Sequence, residues 1–197
     1  MITSPVPPGV PIGSLLHAPI QAPRPSPSVN PDRPPEADFD RSIDYYADYS
    51  GCGHWRMIWP GHLLNAHGKA VIHGKTMMVL DERYYQNTKT VRVQRQATDT
   101  QRRFIRLLRE YANRSHFNII YEIDDIVFSE DIPDYNKFKT AFVDPNVRQC
   151  ALDIMREVDE ITTTNKFMAE YYRDKTGNKN VTVIPNYPPK WWMGNFY

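Results

Sequence analysis

Three clusters of residues have types and spacings that could do chemistry. In "NIIYEIDDIVFSEDIP" an apolar run ends on Asp124 and Asp125, with Glu122 just upstream. Carboxylates at a strand end can bind a divalent cation through oxygen, orient a sugar hydroxyl or act as a base. Loop acids that bond their own backbone would leave the same string. The second cluster is Gly51-Cys52-Gly53, followed by His54 and Arg56. Glycine lets a backbone approach an anion, and a helix starting there favours negative charge, so His54 would serve as base and Arg56 as phosphate ligand. A tight turn followed by two exposed helix residues explains it equally. The third is "VIPNYPP", in which proline stops a strand.

Other reactive residues point to less. The spacing of His62, His67 and His73 matches no helical ligand pair, so no metal is expected there. A helix N-terminus would lower the pKa of Cys52, but no nucleophilic role is assigned to it. Arginines 92, 95, 102, 103, 106 and 109 read as a solvated helix face and a strand end, with a partner-binding patch as the alternative. The two cysteines, Cys52 and Cys150, form no CxxC or Cys/His pattern, which argues against a disulfide framework or structural zinc. A reducing cytoplasm is the expected location. Lys plus Arg number 24 against 23 for Asp plus Glu, so net charge gives no argument for a polyanionic partner. No apolar run approaches the roughly 20 residues of a membrane span, and no signal-peptide pattern opens the sequence.

Regular elements must position these clusters. With 197 residues and 41% hydrophobic content, one core of ordinary size is expected. Of the 17 prolines, 11 fall in residues 1–35, so residues 1–40 read as an extended, disordered arm that is either a spacer or a docking segment built on "IGSLLHAPI". A Rossmann-like domain is expected over 41–186 and an aromatic tail or interdomain linker over 187–197. "IDYYADY" reads as a strand, and "HWRMIWPGHLLNAHG" as a helix that either kinks at Pro60 or starts near it. "KAVIHG" and "TMMVL" are short apolar runs, and "TVRVQRQ" alternates as a strand. Thr98 and Gln101 make a capping box for a helix burying Phe104, Leu107, Leu108 and Tyr111. "FNIIYEID" is a buried strand. Asp144 and Pro145 open a helix that turns Val147, Cys150, Ala151, Ile154 and Met155 inward. "EITTT", "NKFMAEYYRDKTG" and "NVTVIPN" add a strand, a helix and a strand. The alternation predicts an α/β fold: a Rossmann-like parallel sheet flanked by helices, with ligands at the carboxyl ends of its strands.

Taken in order, "SGCGHWRMIWPGHLL", "VRVQRQ", "IIYEIDDIVFSEDIP", "VDEITTTNKFMAEYY" and "VTVIPNYPP" resemble the N-terminal half of GT-B glycosyltransferases, particularly the group 1 type of bacteria and bacteriophages. The resemblance spans residues 43–190. It implies an acceptor-shaping N-terminal domain facing a donor-binding domain across a cleft. By that similarity Gly51, Cys52, Gly53 and Arg56 would approach the donor, Asp124, Asp125 and His54 would be the catalytic candidates, and Pro185 and Asn186 would lead into the interdomain linker. A nucleotide-sugar would be the co-substrate, with no tightly bound cofactor and no divalent metal.

The sequence given ends at Tyr197, after Trp191, Trp192 and Phe196, without the second domain. The expectation is therefore an acceptor-side half completed by a donor-binding partner chain and inactive alone, with a glycan, a protein or a modified DNA base as acceptor and, for a virus, the host cytoplasm as location. Two other readings remain: a binding or structural protein that lost the enzyme, and a metal-dependent GT-A enzyme in which "EIDD" holds the ion.

Overall fold

A computed structural model of the chain describes residues 40–47, 49, 51–136, 139 and 144–187, with the backbone alone for Ser129. The expected proline-rich arm and the aromatic residues after Tyr187 lie outside the described residues. The chain alternates strand and helix: β1 (Arg41–Tyr45), helix α1 (residues 51–66), β2 (Val71–Lys75), β3 (Thr88–Gln94), α2 (Asp99–Ser115), β4 (Asn118–Glu122), α3 (Pro145–Glu157), β5 (Glu160–Thr163), α4 (Lys166–Thr176) and β6 (Val181–Val183). The six strands form one parallel sheet in the order β2-β1-β3-β4-β5-β6. The expected α/β class, a Rossmann-like parallel sheet flanked by helices, is what the chain adopts.

Strand order reverses between β1 and β3, and a doubly wound sheet opens a ligand crevice at such a point, outside the carboxyl ends. Right-handed crossovers then place α1 on one face and α2, α3 and α4 on the other. Side chains agree with this division. The Tyr45 ring meets Phe104 of α2 at 5.1 Å, whereas a Cβ built on Gly61 of α1 would lie 3.8 Å from the carboxylate of Asp44, the residue before Tyr45.

The face under α2, α3 and α4 carries the apolar core. Ile43, Val91, Val93, Ile119, Tyr121 and Ile161 are all buried there, each side chain stabilising the fold by about 1.5–3 kcal/mol through removal from water. The core is rich in tyrosine, and the hydroxyls find partners. Tyr45 and Tyr85 share a 2.6 Å hydrogen bond, Tyr85 donates to the Val79 carbonyl and Tyr111 to that of Leu80. Between β2 and β3 the chain makes no α-helix, only the 3-10 turn Glu82–Tyr85, which inserts Tyr85 between Tyr111 and Phe117.

Helix starts follow local rules. Thr98 accepts from the Gln101 amide while the Gln101 side chain accepts from the Thr98 amide, completing the expected capping box on α2. Asp144 caps α3 and Asn165 caps α4. Helix α1 has an α-helical start (Gly51–Gly53), a π-helical turn (His54–Ile58) and an α-helical remainder (Trp59–Ala66). Pro60 explains the turn: it has no N–H to offer the Arg56 carbonyl, and the Trp59 amide bonds five residues back to His54. The helix therefore neither starts at Pro60 nor stops there.

Two expectations are corrected. The first strand ends at Tyr45 rather than Tyr49, because β2 has no partner residues beyond Lys75. The arginines of α2 are only in part a solvated face: Arg103 is exposed and pairs within the helix with Asp99, whereas Arg102 pairs with Asp153, Arg106 with Glu157 and Arg109 with Asp159, joining α2 to α3 and its exit. No described helix is long and apolar enough to cross a membrane.

Candidate functional site

On the α1 face the sheet is polar where it should be most buried. Gln94 and Glu122 are register partners at the carboxyl ends of β3 and β4, and both are buried. Gln94 donates to one Glu122 oxygen at 2.9 Å and accepts from the Ala47 amide after β1. Arg56, one turn into α1, donates to the other Glu122 oxygen at 2.7 Å. The Arg56 guanidinium also donates to the Ile184 carbonyl and, at 3.0 Å, to Asn186 Oδ1. One connected network thus ties together the exits of β1, β3, β4 and β6. Burial pushes the Glu122 carboxyl up, while the Arg56 charge and the hydrogen bonds from Arg56 and Gln94 oppose that rise.

Beyond the end of β4 stand Asp124 and Asp125. Cys52 lies beside them, and one ligand atom from each of the three falls within 4.8 Å of the others. Arg95 reaches this group from the end of β3, donating to Cys52 Sγ at 3.3 Å and pairing with Asp125 at 3.2 Å. Its backbone is left-handed, with φ of 50°, which a non-glycine residue adopts only when its surroundings hold it there. Its guanidinium already supplies positive charge to two of the three groups that could ligate a cation. Burial raises the pKa of Asp125, the neighbouring Asp124 charge adds to this, and Arg95 opposes it. Asp124 Oδ1 is buried and accepts no hydrogen bond.

The helix start does not activate Cys52. Burial, the Asp124 hydrogen bond and the Asp124 charge push its thiol up to about 12, outweighing Arg95, so it stays protonated at neutral pH. The expectation of a lowered thiol pKa is corrected on that ground.

Two clefts meet at Asp124. The larger, about 580 Å³, is lined by Arg95, Asp124, Asp125, Asn136, Asn165 and Phe167, among others. The smaller, about 430 Å³, is lined by Gly51, Cys52, Trp55, Arg56, Asp124, Asn186 and Tyr187. Each has an aromatic wall that is open to solvent: Phe167 is 64% exposed, Trp55 40% and Tyr187 80%. The combination of apolar walls and a few converging polar groups is that of a small-molecule site.

Of the residues singled out in the sequence, Gly51, Cys52, Arg56, Asp124, Asp125 and Asn186 come together here. Gly51 is left-handed, with φ of 42°, and nothing lies within 4 Å of where its Cβ would be, so its role is turn geometry rather than close approach. Gly53 is buried inside α1. His54 lines neither cleft and stacks on Trp59 instead. Pro185 follows the last ladder bond, from the Ile184 amide to Thr163. The sequence reading missed Arg95 as a cleft residue, as well as Trp55, Phe167 and Tyr187. Their one sequence signal is position: Arg95 directly follows a strand end, Trp55 and Phe167 sit in the first turns of helices, and Tyr187 stands four residues past the last strand. No protein-family model, curated protein or solved structure matches the chain.

Proposed function

We propose that this α/β unit is the acceptor-side part of a glycosyltransferase and that its two clefts bind saccharide. The observation that carries this reading is the pair Asp124 and Asp125 at the end of a central strand, where two aromatic-walled clefts meet. A sugar presents hydroxyl donors on its edge and apolar C–H groups on its faces, so carboxylates beside exposed aromatic rings suit both. In the transfer the acceptor oxygen bonds to the anomeric carbon, and the bond from that carbon to the nucleotide diphosphate breaks. The electron pair leaves with the phosphate and the hydroxyl proton passes to a carboxylate here. Asp125, whose pKa is raised, and Asp124, with a free oxygen, are the bases assigned to that step.

The donor phosphates need another unit. The two cleft arginines, Arg56 and Arg95, are paired with Glu122 and Asp125, so this face offers a diphosphate little uncommitted positive charge. A donor-binding partner supplies it, and a glycan is the acceptor. The same commitment favours, as a second reading, a saccharide-binding protein without transfer.

The test is binding of the isolated chain to an array of immobilised glycans. Retention of a saccharide, weakened about ten- to a hundredfold by Asp124→Asn, is expected for a lost charge-assisted hydrogen bond. Failure to retain any saccharide sinks the proposal. Turnover of a nucleotide-sugar on mixing with a donor-binding chain then separates transfer from binding alone.

A further inference from the structure

The geometry points to Arg56 as the positioning residue of the smaller cleft: its guanidinium seats the segment after β6 so that Tyr187 forms a cleft wall with Trp55. The assignment rests on reading that cleft as a ligand site, and it names what builds the site. Among the described residues the only other hydrogen bond to the segment is the one made by the Ile184 amide. The sheet ladder ends at the Ile184 amide, and Pro185 has no N–H to continue it. Ile184 and Tyr187 are 45% and 80% exposed, so they bury little surface against the described residues. Arg56 makes two bonds to the segment, to the Ile184 carbonyl and to Asn186 Oδ1, from a side chain that is only 4% exposed.

That side chain is itself immobilised by Glu122, whose other oxygen is held by Gln94. A planar fork with several donors can bond a carboxylate, a carbonyl and an amide oxygen at once, and lysine cannot reproduce that. Position at the end of β6 is thus transmitted from the end of β4 through one guanidinium.

The experiment measures backbone nitrogen relaxation on the isotope-labelled full chain, without ligand. In the wild-type protein the order parameters of Asn186 and Tyr187 are expected near the rigid value of about 0.85, falling below about 0.6 in Arg56→Lys while β4, β5 and α2 remain unchanged. Lysine keeps a positive charge beside Glu122, so a purely structural arginine would leave Asn186 and Tyr187 rigid in this variant. Asn186→Ala, an exposed change, should loosen Tyr187 similarly and add little on top of Arg56→Lys. Mobile residues 186 and 187 in the wild type, or unchanged values in Arg56→Lys, would overturn the assignment. A rigid segment that responds to Arg56 in a protein that binds no saccharide would count against the transferase reading alone.

Discussion

The two faces of the sheet solve opposite problems with the same backbone. Under α2, α3 and α4 the strands bury Ile43, Val91, Val93, Ile119 and Ile161, and tyrosine hydroxyls there find partners across the core, Tyr45 with Tyr85 and Tyr111 with the Leu80 carbonyl. Under α1 they bury Asp44, Gln94 and Glu122, with Arg92 held by Asp44 and Arg56 by Glu122. The first arrangement gains stability from area removed from water and tolerates small changes in shape. The second gains little net stability, since desolvating two charges costs about as much as their attraction returns, but it fixes where chain segments lie. Position is what a site needs, and the clefts open on the polar face's carboxyl edge.

The sharpest way to break this contrast is to remove one charge from the polar face. Arg56→Met should cost about 3–5 kcal/mol by leaving Glu122 buried and unpaired, measured by urea unfolding. Replacing Arg56 and Glu122 together by apolar residues of similar volume should recover much of that loss. On the apolar face, Ile119→Val should cost only about 0.5–1.5 kcal/mol. If Arg56→Met costs no more than Ile119→Val, the two faces do not differ as described. Thr98→Ala, which removes a helix cap outside both faces, should cost about 1 kcal/mol, in the same range as Ile119→Val.

Acid titration sharpens the comparison through its sign. Hydrogen bonds from Arg102 and Gln149 hold the Asp153 carboxyl below its usual range despite partial desolvation, and those from Lys175 and Tyr171 do so for Asp131. Such acids contribute stability that is present above the ordinary value of about 4 and is lost as pH falls through their depressed folded values. Glu122, raised by burial, acts oppositely, favouring the fold more below its ordinary pKa than above it. Melting temperature followed from pH 5 to 3 should therefore fall in the wild type and fall more steeply in Glu122→Gln. Added salt should flatten the part due to the exposed pairs. The smallest effect expected is Asp124→Asn, which should leave stability within about 0.5 kcal/mol of wild type, because Oδ1 has no partner to lose and a carboxamide oxygen can still accept from Cys52.

What could be read in the sequence was local. The Thr98 and Gln101 cap, Asp144 before Pro145, and a buried strand within "FNIIYEID" depend on residues within a few positions of one another, and they appear as expected, the strand spanning Asn118–Glu122. What joins Arg102 to Asp153, or Arg56 to Glu122, is separated by 51 and 66 residues, and no periodicity reports such pairs. Hence the α2 arginines looked like a solvated face, and Glu122 looked like a bystander to Asp124. The direction of the Cys52 pKa shift is illegible for a related reason: its helix-start position is local, whereas its burial against Asp124 is set by the fold.

The π-helical turn in α1 amounts to a one-residue insertion absorbed within a helix. An α-helix advances about 100° per residue, so the extra residue sets the angular phase of the segment before Pro60 relative to the segment that packs on β2. Deleting a single residue between Met57 and Trp59 should let a regular helix form and rotate Arg56 by about that angle, away from Glu122 and Asn186. Replacing Pro60 alone would restore the missing N–H without changing the residue count. The phase of α1 is therefore recorded as a number of residues, and a deletion would disturb the cleft more than most substitutions within it.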